Sequence, residues 1–263
     1  VARFDTAYTI VTYSMPPYAG TTTGDGIYTL GSTVTVTATA AHGFVFDSWS
    51  DGSLEATHAF PATSDLWITA MFRSAPGAVT FDFDDGPAST SLPLDWTVNG
   101  LTGHFTGGFS IQPVGTVGIR PIGFSGLCIW PNSVFQSDLG IEFSETLTDL
   151  SILVATADND CDVSSGMRVT AYMGATPVGT NTVVPPQGVY PSATLSIAAP
   201  AGFNRVVVHW DGPGSVCQDY APIFLADIVT VTRLAPPTRV PDPGAALQPR
   251  LFAPAPNPFR DAT

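Results

Sequence analysis

Four carboxylates fall where two short segments could bring them together. Asp82, Asp84 and Asp85 lie within Phe81-Asp82-Phe83-Asp84-Asp85-Gly86, and Asp227 sits in Phe224-Leu225-Ala226-Asp227-Ile228-Val229-Thr230-Val231-Thr232. Calcium is bound by six to eight oxygens, so a site needs several carboxylates and backbone carbonyls at one point. The first segment reads as an opening strand and the second as a closing one. If the two pair, as the end strands of a β-sandwich often do, all four acids converge on one structural calcium. Residues two apart share a face of a strand, which favours Asp82 and Asp84 acting together. The alternative is that these acids only solvate a strand end.

A second acidic loop, Asp158-Asn159-Asp160-Cys161-Asp162, places Asp158, Asp160 and Asp162 at alternate positions, as in the front half of an EF-hand loop. Val163 stands where that loop needs Gly and Val169 where it needs a bidentate Glu. This excludes an EF-hand and leaves a looser second metal loop. Trp130, Tyr190, Trp210 and Tyr220 lie near loops and have rings that could stack on sugars; ordinary core packing is the competing reading.

Catalytic patterns are thin. Ser125 in Gly123-Phe124-Ser125-Gly126-Leu127 does not make a nucleophile elbow, and none of the four histidines belongs to a zinc-protease helix motif. His209, followed by Trp210 and Asp211 on a Val-rich strand, reads as a hydrogen-bonded wall residue. No carboxylate pair is singled out for glycoside hydrolysis, whose two acids are defined by their separation in the fold. No catalytic residue is assigned, and the chain is not expected to be an enzyme.

Composition narrows the partners. The 263 residues carry a net charge of -13, with 22 acidic side chains against nine arginines and no lysine. Such a balance repels phosphate backbones and anionic lipid, so nucleic acid is excluded as a partner. Lacking lysine, the chain has no Schiff-base nucleophile and no P-loop cation. No apolar run is long enough to span a bilayer, so membrane insertion is not expected. Cys128, Cys161 and Cys217 lack zinc-ligand spacing. Cys161 and Cys217 lie in polar, turn-like segments and form the favoured disulfide; Cys128, in Leu127-Cys128-Ile129-Trp130, reads as a core residue.

These residues must be held by β structure. Gly and Pro punctuate the chain, and Thr and Val alternate in short runs such as Thr33-Val34-Thr35-Val36-Thr37-Ala38, which buries Val34, Val36 and Ala38 on one face. No window has a sustained helical period. The fold class is all-β: a small module followed by a larger jelly-roll-like β-sandwich and an extended Pro-rich tail. Trp49 is expected in the core of the small module, Ser50-Asp51-Gly52 in a turn, and His42 in an exposed loop.

Tyr28, Gly31, Val34, Val36 and Ala38, then Gly43-Phe44, Phe46 and Trp49-Ser50-Asp51-Gly52, and a closing Ala70-Met71-Phe72 resemble the divergent internalin-type B repeat of bacterial surface proteins. That resemblance covers residues 5–73 and implies a β-grasp-like module strung in tandem outside the cell. Val1-Ala2-Arg3-Phe4 echoes Thr69-Ala70-Met71-Phe72, so residues 1–4 read as the end of a preceding repeat. Residues 77–234 are expected to form one sandwich. Its late Val206-Val207-Val208-His209-Trp210-Asp211 strand, Gly-rich loop and closing strand with Asp227 resemble carbohydrate-binding-module-like sandwiches, which implies a structural calcium beside the end strands. Residues 235–263 read as a linker and a truncated sorting domain, because Pro256-Asn257-Pro258-Phe259 resembles the opening of Bacteroidetes-type C-terminal secretion domains.

The function expected is therefore non-catalytic: an extracellular or cell-surface piece of a longer bacterial protein. It would adhere to a glycan or surface protein, or serve as a structural component. The alternatives are an accessory binding region of an extracellular hydrolase and a self-assembling surface-layer or filament subunit.

Overall fold

The computed structural model describes residues 6–157, 166–212 and 223–235. The acidic loop with Asp158, Asp160 and Asp162, the Cys161–Cys217 pairing, Tyr220 and the sorting-domain resemblance fall outside the described residues.

Seven strands build the N-terminal module: β1 (Ala7–Met15), β2 (Gly20–Thr23), β3 (Gly26–Thr29), β4 (Thr33–Ala40), β5 (Phe44–Trp49), β6 (Thr57–Pro61) and β7 (Leu66–Ser74). They form a four-stranded sheet, β3-β1-β7-β5, and a three-stranded one, β2-β4-β6. β1 and β7 run parallel at the centre of the larger sheet. Alternation in β4 buries Val34, Val36 and Ala38, and alternation in β7 buries Ile68, Ala70 and Phe72, so the two sheets share one small core. Trp49 fills that core, and its indole N–H donates to the Glu55 carbonyl at 3.0 Å. At the surface, His58 Nε2 meets Asp51 Oδ2 at 2.8 Å.

The sandwich follows with β8 (Ala78–Phe81), β9 (Thr90–Ser91), β10 (Leu94–Val98), β11 (Leu101–Thr106), β12 (Phe109–Pro113), β13 (Leu127–Pro131), β14 (Leu139–Thr156), β15 (Met167–Met173), β16 (Thr176–Val183), β17 (Ser192–Trp210) and β18 (Phe224–Arg233). Leu139–Phe143 and Leu150–Ala155 read in sequence as two strands, as do Ala193–Ile197 and Arg205–Trp210. Each pair is one long strand. The first part of β14 pairs with β11 and the end of β17; its second part pairs with the start of β17 and with β18.

The cause is written in the side chains. In β14 the buried positions Leu139, Ile141 and Phe143 are odd-numbered, whereas Leu150, Ile152 and Val154 are even. Register shifts between Glu142 and Asp149 absorb the change of phase, and across this bulged stretch the strand's second neighbour changes from β11 to β18. β17 does the same, passing from Leu195 and Ile197 to Val206, Val208 and Trp210.

The two modules abut. Only Ala75–Gly77 separates β7 from β8, and these residues are tied down: the Ala75 N–H donates to the Gly43 carbonyl at 2.8 Å and the Arg233 N–H to the Gly77 carbonyl at 3.0 Å. His42, in an exposed turn as expected, also reaches the sandwich, with Nε2 3.2 Å from Asp149 Oδ1. Gly43 has φ +78°, and a Cβ there would stand 2.3 Å from the Thr230 methyl. Both backbone conformation and close approach demand glycine. Replacing Gly43 with Ala is expected to lower stability by about 2 kcal/mol through left-handed strain and overpacking, measurable as a reduced urea midpoint at unchanged m-value.

Candidate functional site

The acid cluster forms where one edge of β18 changes partner. Phe81, the last residue of β8, lies opposite Val229, while Ile129 of β13 lies opposite Ala226. β8 and β13 therefore flank the same edge of β18 end to end, and the break between them falls at Asp227-Ile228. Ile228 has φ 47° and Phe83 φ 64°, left-handed conformations that are strained for residues with side chains. Phe83 is anchored by edge-to-face packing on Phe105 at 5.3 Å and on Trp96 at 5.6 Å.

This break corrects the reading of Asp82 and Asp84 as neighbours on one strand face. β8 ends at Phe81, and the left-handed turn at Phe83 parts the two acids. Asp82 Oδ2 accepts from the Tyr18 hydroxyl of the N-terminal module at 3.3 Å. Asp84 Oδ1 accepts from the Leu127 N–H at 2.7 Å, beneath Gly126, whose φ is 52° and where a Cβ would stand 1.9 Å from that oxygen. Asp85 is exposed and, with Asp82, Asp95 and Trp96, lines a separate cleft of about 580 Å³.

Asp227 is 1% exposed. Its Oδ1 accepts from the Ile228 N–H at 2.8 Å and its Oδ2 from the Ser125 N–H at 3.2 Å. Burial pushes its pKa up to about 8; the two backbone donors oppose the rise, and the charges of Asp84 and Asp82 add to it. Burial, with Asp227 and Asp84 nearby, also raises Cys128 to about 12, which leaves an inert thiol. Burial and then Asp82 raise Tyr18 to about 12.

Among the described residues, no three His, Cys, Asp or Glu side chains are grouped tightly enough to hold a metal as they stand. Burial and the neighbouring acids favour a proton on Asp227, while its hydrogen-bond donors favour the charged form that a cation would pair with. Both Asp227 oxygens face N–H donors, which suit the ionised form, and two further carboxylates lie within electrostatic reach.

A second site lies at Trp130 and Tyr190. Both rings are half-buried and line one cleft of about 360 Å³ with Asn132, Ser133, Val117 and Val134. Trp130 is set by β13, while Tyr190 is turned by its φ of 51°. The Asn132 side-chain amide donates to the Phe109 carbonyl at 2.8 Å, which orients it at the rim. Asn132 and Ser133 carry no sequence pattern that marks them; only their place after β13 does. Trp210 offers no stacking face: it is 5% exposed in the sandwich core, and its indole nitrogen is buried without a hydrogen-bond partner. His209 is a wall residue, with Nδ1 2.5 Å from Asp138 Oδ1.

Comparison with known proteins agrees with the first module. Residues 11–84 match the family described as the divergent InlB B-repeat domain. The matched stretch extends past β7 through β8, which pairs with β18 of the sandwich, to Asp84. No curated protein matches the chain.

Solved structures give loose likenesses. The C-terminal CBM6 of LamC, a marine laminarinase from Zobellia galactanivorans, is 14% identical over 59% of this chain and 99% of that one, with a TM-score of 0.30. The K3 cleaved adhesin domain of Lys-gingipain from Porphyromonas gingivalis is 19% identical over 44% and 79%, with a TM-score of 0.27. The CBM51-2 and INT domains of Clostridium perfringens ZmpB are 12% identical over 88% and 48%, with a TM-score of 0.32. At these scores the backbones diverge too far to carry ligand or activity across.

The Asp227 carboxyl supplies a pH test. Its folded-state pKa is raised, so the folded chain holds a proton that the unfolded chain releases. Its stabilising contribution is complete below the ordinary carboxylate value and is lost as pH rises through about 8. In the presence of chelator, stability is expected to fall between about pH 4 and 8 by up to about 1.4 kcal/mol per pH unit. Asp227→Asn should flatten that slope, as read from urea unfolding across the range.

Proposed function

We propose that this chain is a non-catalytic, extracellular adhesion segment that binds a glycan through the Trp130–Tyr190 cleft and is braced by calcium at the acid cluster. The observation that carries the reading is the convergence of Trp130 and Tyr190, from distant parts of the chain, on one cleft beside Asn132 and Ser133. Aromatic rings supply apolar area to sugar C–H faces, and a few placed amide and hydroxyl groups give orientation. The cleft's volume lies within the range of small-molecule sites. A net charge of -13 favours neutral over anionic saccharides.

The calcium would be held by Asp82, Asp84 and Asp227, with backbone carbonyls completing its oxygens. It would supply positive charge where three acids lie near one another and would stabilise the ionised form of Asp227 in place of a proton. Asp85, whose charge is not among those acting on Asp227, is left out of this set. Outside the described residues, the Asp158–Asp162 loop remains a second calcium proposal and Cys161–Cys217 the proposed disulfide. No helix among the described residues is long and apolar enough to cross a membrane. The B-repeat-like module is the extracellular element on which the proposed location rests.

Trp130→Ala and Tyr190→Ala are each expected to weaken retention in affinity gels containing soluble polysaccharide by about tenfold, a loss of about 1.4 kcal/mol. If both variants migrate as the wild type does on every polysaccharide that retards it, the cleft is not the site. Calcium at about 100-fold above its Kd should stabilise the chain by about 2.7 kcal/mol, raising Tm by roughly 5–10 °C over chelator. Asp84→Asn should abolish the difference. Equal melting in calcium and chelator would remove the metal from the proposal.

A further inference from the structure

The cleft of about 580 Å³ beside Asp85 shares no lining residue with the Trp130–Tyr190 cleft. Every residue from Leu94 to Val98, the whole of β10, lines it. Successive side chains of a strand point to opposite faces, so a cavity lined by all of them runs along the edge of β10 and not over either face. That edge is open: among the described residues, β10 pairs with β11 alone. Thr80 and Asp82, at the end of β8, and Asp85-Gly86-Pro87 complete the lining with Asn99.

The hairpin fixes which main-chain groups face the cleft. Asn99 and Gly100, with φ of 50° and 79°, make a two-residue turn that closes on a hydrogen-bonded pair, Val98 and Leu101. Alternation then makes Asp95–His104 and Thr97–Thr102 the non-hydrogen-bonded pairs, whose side chains stand closest. They do: Thr97 Oγ1 lies 2.7 Å from Thr102 Oγ1, and Asp95 Oδ1 lies 2.6 Å from His104 Nδ1. Asp95 and Thr97 therefore turn their N–H and C=O groups away from β11, to the open edge. On the inner side Leu94, Trp96 and Val98 are half-buried, which leaves a margin of the core uncovered. The Trp96 ring lies against Gly86, where a Cβ would stand 1.7 Å from it.

Unpaired main-chain groups beside an uncovered core margin fit an added strand. Charge narrows what that strand can be. Asp82, Asp85 and Asp95 line the cleft and no Arg does; His104, which meets Asp95, and Arg233, which donates to the Asn99 carbonyl at 2.7 Å, touch the lining from outside. A second copy of this chain, at a net charge of -13, is repelled from so acidic an edge. We infer that the free edge of β10 docks an extended basic segment of a partner protein as an added strand. Its main chain pairs with Asp95 and Thr97, its apolar side chains cover Leu94, Trp96 and Val98, and its Arg or Lys side chains meet Asp85 and Asp95. Because alternate side chains fall on opposite faces, the sequence selected alternates apolar and basic residues.

The test uses the full chain at physiological ionic strength, with an N-acetylated, C-amidated octapeptide of alternating valine and arginine as the probe. Calorimetry should show binding, and hydrogen exchange followed by NMR should slow at the Asp95 and Thr97 amides as the peptide saturates, a readout that needs no substitution. Affinity should fall by about tenfold when glutamate replaces arginine in the peptide, when the peptide amides are N-methylated, and when the chain carries Asp85→Asn with Asp95→Asn. The inference is overturned if the peptide does not bind, if it binds without slowing those two amides, or if any of the three changes leaves affinity intact. Slow exchange of the same amides in the free chain would assign the edge to the chain itself, and protection that grows with protein concentration would assign it to a second copy; either result also overturns a basic partner.

Discussion

The unbroken middle strands of the sandwich depend on a break at its edge. β18 needs pairing along its whole length, yet β8 covers only Val229 to Thr232, and β13 meets it on that edge at Ala226. Between them lies Asp227, the most deeply buried acid among the described residues, with N–H donors from Ser125 and Ile228 on its two oxygens. These side-chain oxygens do part of the work that a ladder would otherwise do, satisfying backbone donors that have left the sheet. Left-handed Phe83 and Ile228 are tolerated because Phe83 is locked among Phe105 and Trp96 and Ile228 is held by Asp227.

That constraint reaches beyond the sandwich. Tyr18 crosses from the N-terminal module to Asp82, His42 to Asp149, and Gly43 packs on Thr230, so the module rests on the strands that frame the acid cluster. With three residues between β7 and β8 and both ends hydrogen-bonded, the connection is a joint and not a loose tether. The charge state of the cluster and the seating of the module therefore share one residue, Asp82. The Trp130–Tyr190 cleft draws its Trp from β13, the other strand ending at the break.

Much of the fold was legible because half-buried strands declare themselves by period. Val34, Val36 and Ala38 in β4 are read correctly from alternation alone, and β15 buries Met167, Val169 and Ala171 with the same period. β14 and β17 defeated that reading. A change of phase looks like two strands when the eye expects one period, and only pairing shows that the chain continues through a bulge. β16 shows no such period. Thr176–Val183 mixes Thr, Pro and Gly with few apolar residues, as a strand with exposed or half-buried side chains does.

For the sites, residue type and spacing by themselves determined that the chain is all-β, acidic and without lysine chemistry, and that Asp82, Asp84, Asp85 and Asp227 belong to segments able to meet. They also singled out Trp130, Tyr190, Trp210 and Tyr220 as rings that could stack, without ranking them. Tertiary structure alone decided which aromatics face a cleft and which fill the core, separating Trp130 and Tyr190 from Trp210. It decided that Asp84 and Asp82 are the acids whose charges reach Asp227 and that His42 meets Asp149. The physical reason is that local sequence governs backbone period and side-chain chemistry, whereas burial and convergence depend on long-range pairing: which strand lies beside β18, and where its partner changes.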